Sequence, residues 1–346
     1  MFDIPHIEKL DQNFAKSAED KLAKLAIPKG ALGELGDLAV KLMTFSQSFT
    51  PNFTHRELFL CAADHGVAMN KVSQYPQISD KILSCASHRG AVINALCETH
   101  NCQLSLMDCG LINEPKPGSV KIHNRVIARG GTKDFSLVAA MSSEQCKEAL
   151  ENGISMARNS SAQLILLGEM GIGNTSSAAA MFAKNSNLSV EECVGAGTGL
   201  DPEGIKHKTK VIQQSLDRFS IENLSPAESA FEIIRQVGGF ELATLVGICL
   251  GAAEQGKLIL LDGFLSAVVA IMAKSFNPNV RDYMIASHLS HEQAHKKALK
   301  ILDKTALLDL QMRLGEGSGA VLALPLIDSV CAILSQCMSL DEALNV

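Results

Sequence analysis

Five short apolar runs constrain this chain more than any other feature: Leu58–Ala63, Leu104–Met107, Leu164–Leu167, Leu258–Leu261 and Tyr283–Ala286. They lack the sustained apolar–polar alternation of strands with one wet face. Such strands are buried on both sides, and stretches of helical periodicity lie between them. That rhythm predicts an α/β fold whose mostly parallel sheet carries helices on both faces. With 346 residues, 47% of them hydrophobic, the chain can fill one large domain of this kind and a small companion.

Helix starts are legible at many of the joints. Ser142-Ser143-Glu144-Gln145, Ser189-Val190-Glu191-Glu192, Ser225-Pro226-Ala227-Glu228 and Ser290-His291-Glu292-Gln293 each match a reciprocal capping box. Asp201-Pro202 pairs a cap with proline at the first helical position. Residues 1–50 are helical in pattern, with a break at Pro28-Lys29-Gly30, and residues 111–140 read as a long functional loop or a small hairpin excursion.

Composition excludes several function classes. Trp is absent and aromatics make up 4%, so base- or sugar-stacking platforms are not expected. A net charge of −6 without a basic run argues against nucleic acid. The ten cysteines form no CxxC pair, which removes zinc-finger and thioredoxin patterns and fits a reducing, cytoplasmic setting. Met1 to His6 lacks the layout of a signal peptide. The apolar stretch Leu258–Ala273 is cut by Asp262-Gly263 and reads as strand then helix, so no membrane partner is expected.

Chemistry is expected at the glycine turns. Arg313-Leu314-Gly315-Glu316-Gly317-Ser318-Gly319 precedes a helical pattern, and Glu316 is the one ionisable side chain among its glycines. Helix N–H groups would point into whatever the turn holds. Glu316 reads either as a general base against apolar surface or as a helix-start carboxylate favoured by the macrodipole. Apolar neighbours raise its pKa and a helix start lowers it, so both readings stand open.

A second turn, Gly168-Glu169-Met170-Gly171-Ile172-Gly173-Asn174-Thr175, joins a strand to a helix in the arrangement that cradles a phosphate. The plain alternative is a tight connector capped by Asn174 or Thr175. A third, Gly195-Ala196-Gly197-Thr198-Gly199, leads to Lys206 and Lys208, two cations for an anion unless they form a solvated face. Ser287 ends a predicted strand, where side chains meet ligand. Asp64 and His65 sit at another strand end and are expected to line the same crevice.

His291-Glu292-Gln293-Ala294-His295 is a literal HExxH, with Glu316 downstream as a conceivable third zinc ligand. Its place at a helix start, the adjoining Lys296 and Lys297, and Ala298 where an extended motif has glycine all oppose a zinc peptidase. No metal or cofactor is expected.

Taken together, Ala63-Asp64-His65-Gly66-Val67, Tyr75-Pro76-Gln77, the turn from Gly168 to Thr175, Val237-Gly238-Gly239-Phe240-Glu241, Leu261-Asp262-Gly263-Phe264, Ser287-His288-Leu289-Ser290 and the turn from Arg313 to Gly319 resemble one family. It is the nicotinate-nucleotide–dimethylbenzimidazole phosphoribosyltransferases of cobalamin lower-ligand synthesis. The resemblance runs from about residue 30 to the C-terminus. It implies a doubly wound α/β domain over 51–304, a small helical domain from residues 1–50 and 305–346, and a homodimer. It further implies transfer of the 5-phosphoribosyl group from nicotinate mononucleotide to 5,6-dimethylbenzimidazole, giving α-ribazole 5′-phosphate and nicotinate.

In that family pattern Glu316 falls at the general base. Gly171, Gly173, Asn174, Lys208 and Ser287 fall where the mononucleotide is held, and Glu169 is a second acid of the same site. Tyr75, Leu83, Leu314 and Gly315 are further substrate-binding positions. The chain departs from the pattern at Ile27-Pro28-Lys29-Gly30-Ala31-Leu32-Gly33, where many members read Lys-Pro-Pro-Gly-Ser-Leu-Gly, and at Leu83, where a family glutamine stands near the acceptor base. The acceptor could therefore be another benzimidazole, a purine or a phenol. A catalytically silent nucleotide-binding or partner subunit is the alternative from a different class.

Overall fold

The computed structural model describes residues 2–197 and 199–346, so Met1 and Thr198 of the readings above lie outside the described residues. Seven strands form one parallel sheet: β1 Arg56–Ala63, β2 Gln103–Gly110, β3 Ile122–Asn124, β4 Leu164–Met170, β5 Leu258–Leu261, β6 Met284–His288 and β7 Ala306–Leu308. Their order is β3-β2-β1-β4-β5-β6-β7. The five apolar runs are the five inner strands. The chain builds outward from β1 in one direction and from β4 in the other, so the order reverses between them. Crevices at such a reversal, beyond the strands' C-terminal ends, are where open α/β sheets bind ligands.

Alternate residues of one strand serve opposite cores. Phe59, Cys61 and Ala63 of β1 join Ile165, Leu167, Ile259 and Leu261 under the helices Ser143–Asn159, Asn174–Ser186, Phe240–Glu254 and Phe264–Phe276. Leu58, Leu60 and Ala62 join Leu164, Leu166, Leu258 and Leu260 under Glu34–Ser46, Ser79–Ser87, Val92–Thr99 and Leu324–Gln336. Both faces are dry, which is why these strands read as apolar runs, broken only at Ser105 of β2. The helix Phe240–Glu254 is buried all round. Gly153 and Gly247 let it approach Ser143–Asn159, since a Cβ at Gly153 would lie 1.9 Å from the Thr244 carbonyl oxygen.

Three of the four expected capping boxes hold, at Ser142, Ser189 and Ser225, and Asp201 caps its proline-led helix. The fourth does not. The helix after Ser290 begins only at His295, whose Nδ1 accepts the Ser290 backbone N–H at 2.9 Å. An imidazole at that reach closes the turn in place of a carboxylate. Residues 111–140 carry no hairpin: their short strand β3 adds parallel to the edge of β2.

The chain ends meet. Leu25 bridges Ser339, and Glu34–Ser46 packs on Leu324–Gln336. The apolar stretch Ser318–Gln336 is long enough to cross a membrane, yet half of it is buried in the protein.

Candidate active site

The cleft lies over the C-terminal ends of β4, β5 and β6. Glu169 lies one residue before the end of its strand there, and residues of the turn Gly171–Thr175 line it together with Glu316. Ser79, Ile82, Asp262, His288, Glu292 and Arg313 complete most of the wall.

Glu316 is held by an unusual backbone. Gly315, Glu316 and Gly317 have φ of 80°, 63° and 82°, three consecutive residues in the left-handed region. Glycine accepts that conformation freely, whereas for glutamate it costs about 1–3 kcal/mol that the surrounding structure must hold. Asp262, just after β5, does much of the holding. Its carboxylate accepts the Gly319 N–H at 2.7 Å and those of Gly317 and Ala320 at 3.2 Å. The helix N–H groups expected to face a ligand are thus taken by Asp262. The cap role left open for Glu316 also belongs to Asp262.

With that role filled, burial decides the ionisation of Glu316. Desolvation pushes its carboxyl above the usual carboxylate range, and the negative charge of Asp262 adds to the rise. Glu169 is raised further, by burial first and then by Asp262, Glu241 and Glu316, against a hydrogen bond from Asn174. The two acids belong to one wall, because a Cβ at Gly315 would lie 2.6 Å from Glu169 Oε1.

The second turn starts its helix at Asn174, with Gly173 at φ 99° as the cap position and neither Asn174 nor Thr175 in that role. Lys208 stands behind it, 1% exposed, and donates to Thr175 Oγ1 at 2.8 Å. Burial lowers its ammonium to about 8, with Glu292 pulling the other way. Arg313 reaches across to the Gly197 carbonyl at 3.0 Å and ties the Glu316 turn to the third glycine turn. Lys206 is an exposed lysine paired with Glu203, the solvated-face reading.

Several expected site residues lie elsewhere. Leu83 is fully buried in the apolar core; its helix turns Ser79 and Ile82 to the cleft instead, one helical turn apart. Tyr75 is half-exposed and off the cleft wall. Ser287 is buried, with its hydroxyl 3.4 Å from the Asp262 carbonyl. Asp64 and His65 do not line the crevice but lie beneath it, 1% and 0% exposed. The His65 ring sits between Ser177 Oγ at 2.9 Å and Glu241 Oε1 at 2.6 Å. Gly171, Asn174, Glu169, Leu314, Gly315 and Glu316 do share the cleft. Gly173 supports it from behind, where a Cβ would lie 3.2 Å from that of His65.

The HExxH does not assemble. His291 is exposed and bonds Gln311, whereas His295 is buried with Nδ1 engaged by Ser290. Burial, with His288 adding, lowers His295 to about 4. His291 lies before the helix that His295 opens, so the two rings do not stand one turn apart on a common helix face.

Sequence reasoning missed Ser79 and Ile82 as parts of the site, and it quoted Asp262, Arg313 and Thr175 within motifs without assigning their contacts. The position of Asp262 directly after a buried strand was the available signal.

The family model described as phosphoribosyltransferase matches residues 7–344. The nicotinate-nucleotide–dimethylbenzimidazole phosphoribosyltransferase of Syntrophotalea carbinolica is 38% identical over 98% of this chain and 96% of its own length. That of Photobacterium profundum is 39% identical over 94% of both. The crystal structure of CobT from Thermus thermophilus superposes with a TM-score of 0.90 at 34% identity, covering 96% of this chain and 98% of that one. Motifs, sheet order and near-complete coverage agree: this chain belongs to the nicotinate-nucleotide–dimethylbenzimidazole phosphoribosyltransferase family.

Proposed function

We propose that this enzyme moves the 5-phosphoribosyl group of nicotinate mononucleotide to 5,6-dimethylbenzimidazole or a related azole in cobalamin synthesis, with Glu316 as general base. The observation that carries the assignment is Glu316 itself: a half-buried carboxylate with a raised pKa, fixed on a left-handed turn in the cleft that Gly171 and Asn174 also line.

In the mononucleotide the glycosidic nitrogen is a cationic pyridinium. When its bond to C1′ breaks, the ring takes the electron pair and nicotinate leaves without needing a proton. One azole nitrogen attacks C1′ from the opposite face and acquires positive charge. The proton on the other nitrogen then passes to Glu316. One base suffices, contributing about 10²–10⁴-fold, and in-line positioning of the partners supplies much of the remainder. The Gly171–Asn174 turn receives the sugar phosphate, and Lys208 supports it through Thr175. Glu169, whose carboxyl burial pushes well above the usual range, lines the same cleft and accepts a hydrogen bond from the Asn174 amide. Apolar Ile82, Met170 and Leu314 favour a flat, apolar acceptor. We further propose that the paired chain ends form the smaller unit, that two copies assemble, and that the enzyme works in the cytoplasm.

The test is incubation with the mononucleotide and a panel of azoles, purines and phenols. Free nicotinate formed only when an azole is present, with a riboside phosphate of matching mass, supports the assignment. Nicotinate release independent of any acceptor defeats it in favour of hydrolysis, and no release at all defeats it in favour of the silent-subunit reading.

A further inference from the structure

Ser79 has an arrangement that the transfer chemistry does not itself require. It opens the helix Ser79–Ser87, is 0% exposed, and yet abuts the cleft. Its hydroxyl donates to Asp64 Oδ1 at 2.6 Å and accepts the Ile172 N–H at 3.1 Å. Ile172 lies within the glycine turn, between Gly171 and Gly173. Asp64 is itself buried, and its other oxygen accepts the Ile112 N–H at 2.9 Å. Its backbone pairs with Gly110 and Thr132. The chain Asp64–Ser79–Ile172 therefore joins the end of β1, the helix Ser79–Ser87 and the turn after β4.

The joint has little slack. A Cβ at Gly171 would lie 2.4 Å from the Ala63 carbonyl oxygen, so the turn already rests on β1 and cannot settle further toward it. With the Ile172 N–H directed inward to Ser79, the peptide that follows is fixed. Asn174 N–H then bonds the Gly171 carbonyl at 3.1 Å and the helix begins. Meanwhile the same short helix carries Ile82 to the apolar part of the cleft, beside Met170.

We propose that Ser79 is a positioning residue that couples the acceptor side of the cleft to the glycine turn holding the mononucleotide. The proposal rests on the assignment of the two subsites above. Ordering the turn with one substrate holds the Ser79–Ser87 helix in place for the other, and the linkage is reciprocal: each substrate improves the affinity for its partner by the same factor. Removing the hydroxyl leaves the Ile172 N–H in a dry site without an acceptor. A loss of that kind is worth about 10-fold in the binding it supports.

The experiment is an initial-rate matrix in both substrates for the full-length enzyme and for Ser79→Ala, Ser79→Val and Ser79→Thr, with thermal unfolding of each. Wild type is expected to show each KM falling as the other substrate saturates. Ser79→Ala is expected to raise the mononucleotide KM about 10-fold, to leave kcat within about twofold, and to abolish the mutual dependence of the two KM values. Ser79→Thr, which keeps the hydroxyl, restores the dependence. Ser79→Val separates loss of the hydroxyl from loss of volume, and serves if the alanine variant does not fold. Mutually independent KM values in wild type, or full coupling in both Ser79→Ala and Ser79→Val, would overturn the proposal. A wild-type enzyme that releases no nicotinate would instead fail the functional assignment, and the same matrix shows which has failed.

Discussion

Gly168→Ala tests whether the placement of Glu316, and not its mere presence, sets the rate. Gly168 lies in β4 directly before Glu169 and has an ordinary strand backbone, so alanine brings no conformational strain. Its added Cβ would lie 2.8 Å from the Glu316 carbonyl oxygen and 3.1 Å from both the Glu316 carbonyl carbon and Leu58 Cδ2. Ordinary contact begins at 3.4 Å, so the Glu316 peptide must retreat by 3.4 − 2.8 = 0.6 Å. It has little freedom to do so without turning its side chain, because Asp262 grips the next peptides and Leu58 stands behind Gly317. If a 1 Å misplacement costs about 100-fold, 0.6 Å costs about 10-fold in kcat. Overpacking should lower stability by about 1–3 kcal/mol. Steady-state nicotinate release and thermal unfolding read both quantities. A folded Gly168→Ala enzyme with full kcat would refute the view that the turn's position governs catalysis.

Glu316→Gln should reduce kcat by about 10²–10⁴-fold while calorimetry finds mononucleotide binding largely intact; retention of turnover would remove the base assignment. Because Glu316 must be ionised to accept a proton and burial raises its pKa, the acid limb of kcat should lie above the usual carboxylate range and disappear in Glu316→Gln. Lys208 loses its charge as pH rises through about 8, so the mononucleotide KM should climb above that pH. Lys208→Met should raise that KM at neutral pH and flatten its rise, and an unchanged KM would exclude Lys208 from support of the phosphate. Glu169 has a folded pKa above its unfolded value; the folded state then binds more protons, and stability falls as pH rises from the unfolded pKa toward the folded one. Glu169→Gln should therefore gain thermal stability over wild type at pH 8 more than at pH 5, and an equal difference at both would contradict the assigned burial.

The sequence alone determined the sheet. Strands dry on both faces are apolar along most of their length, so β1, β2, β4, β5 and β6 could be read as runs and their parallel pairing inferred. Short-range chemistry was equally legible. Ser142, Ser189, Ser225 and Asp201 bond to backbone only three residues away, and the glycine turns need positive φ within the turn itself. What only the tertiary structure decided was every contact between distant segments. Asp262 reaches the helix after Glu316 from more than fifty residues away in sequence, and in doing so it removes the macrodipole's claim on Glu316 and leaves burial to set its pKa. The edge strands β3 and β7 have three residues each, too few to print a pattern. Leu83 and Ile82 are neighbours in the chain, but a helix turns adjacent side chains about 100° apart, and only packing against the sheet settled that Leu83 enters the core while Ile82 faces the cleft. Periodicity reports how a segment is buried; which partner buries it is a property of the assembled fold.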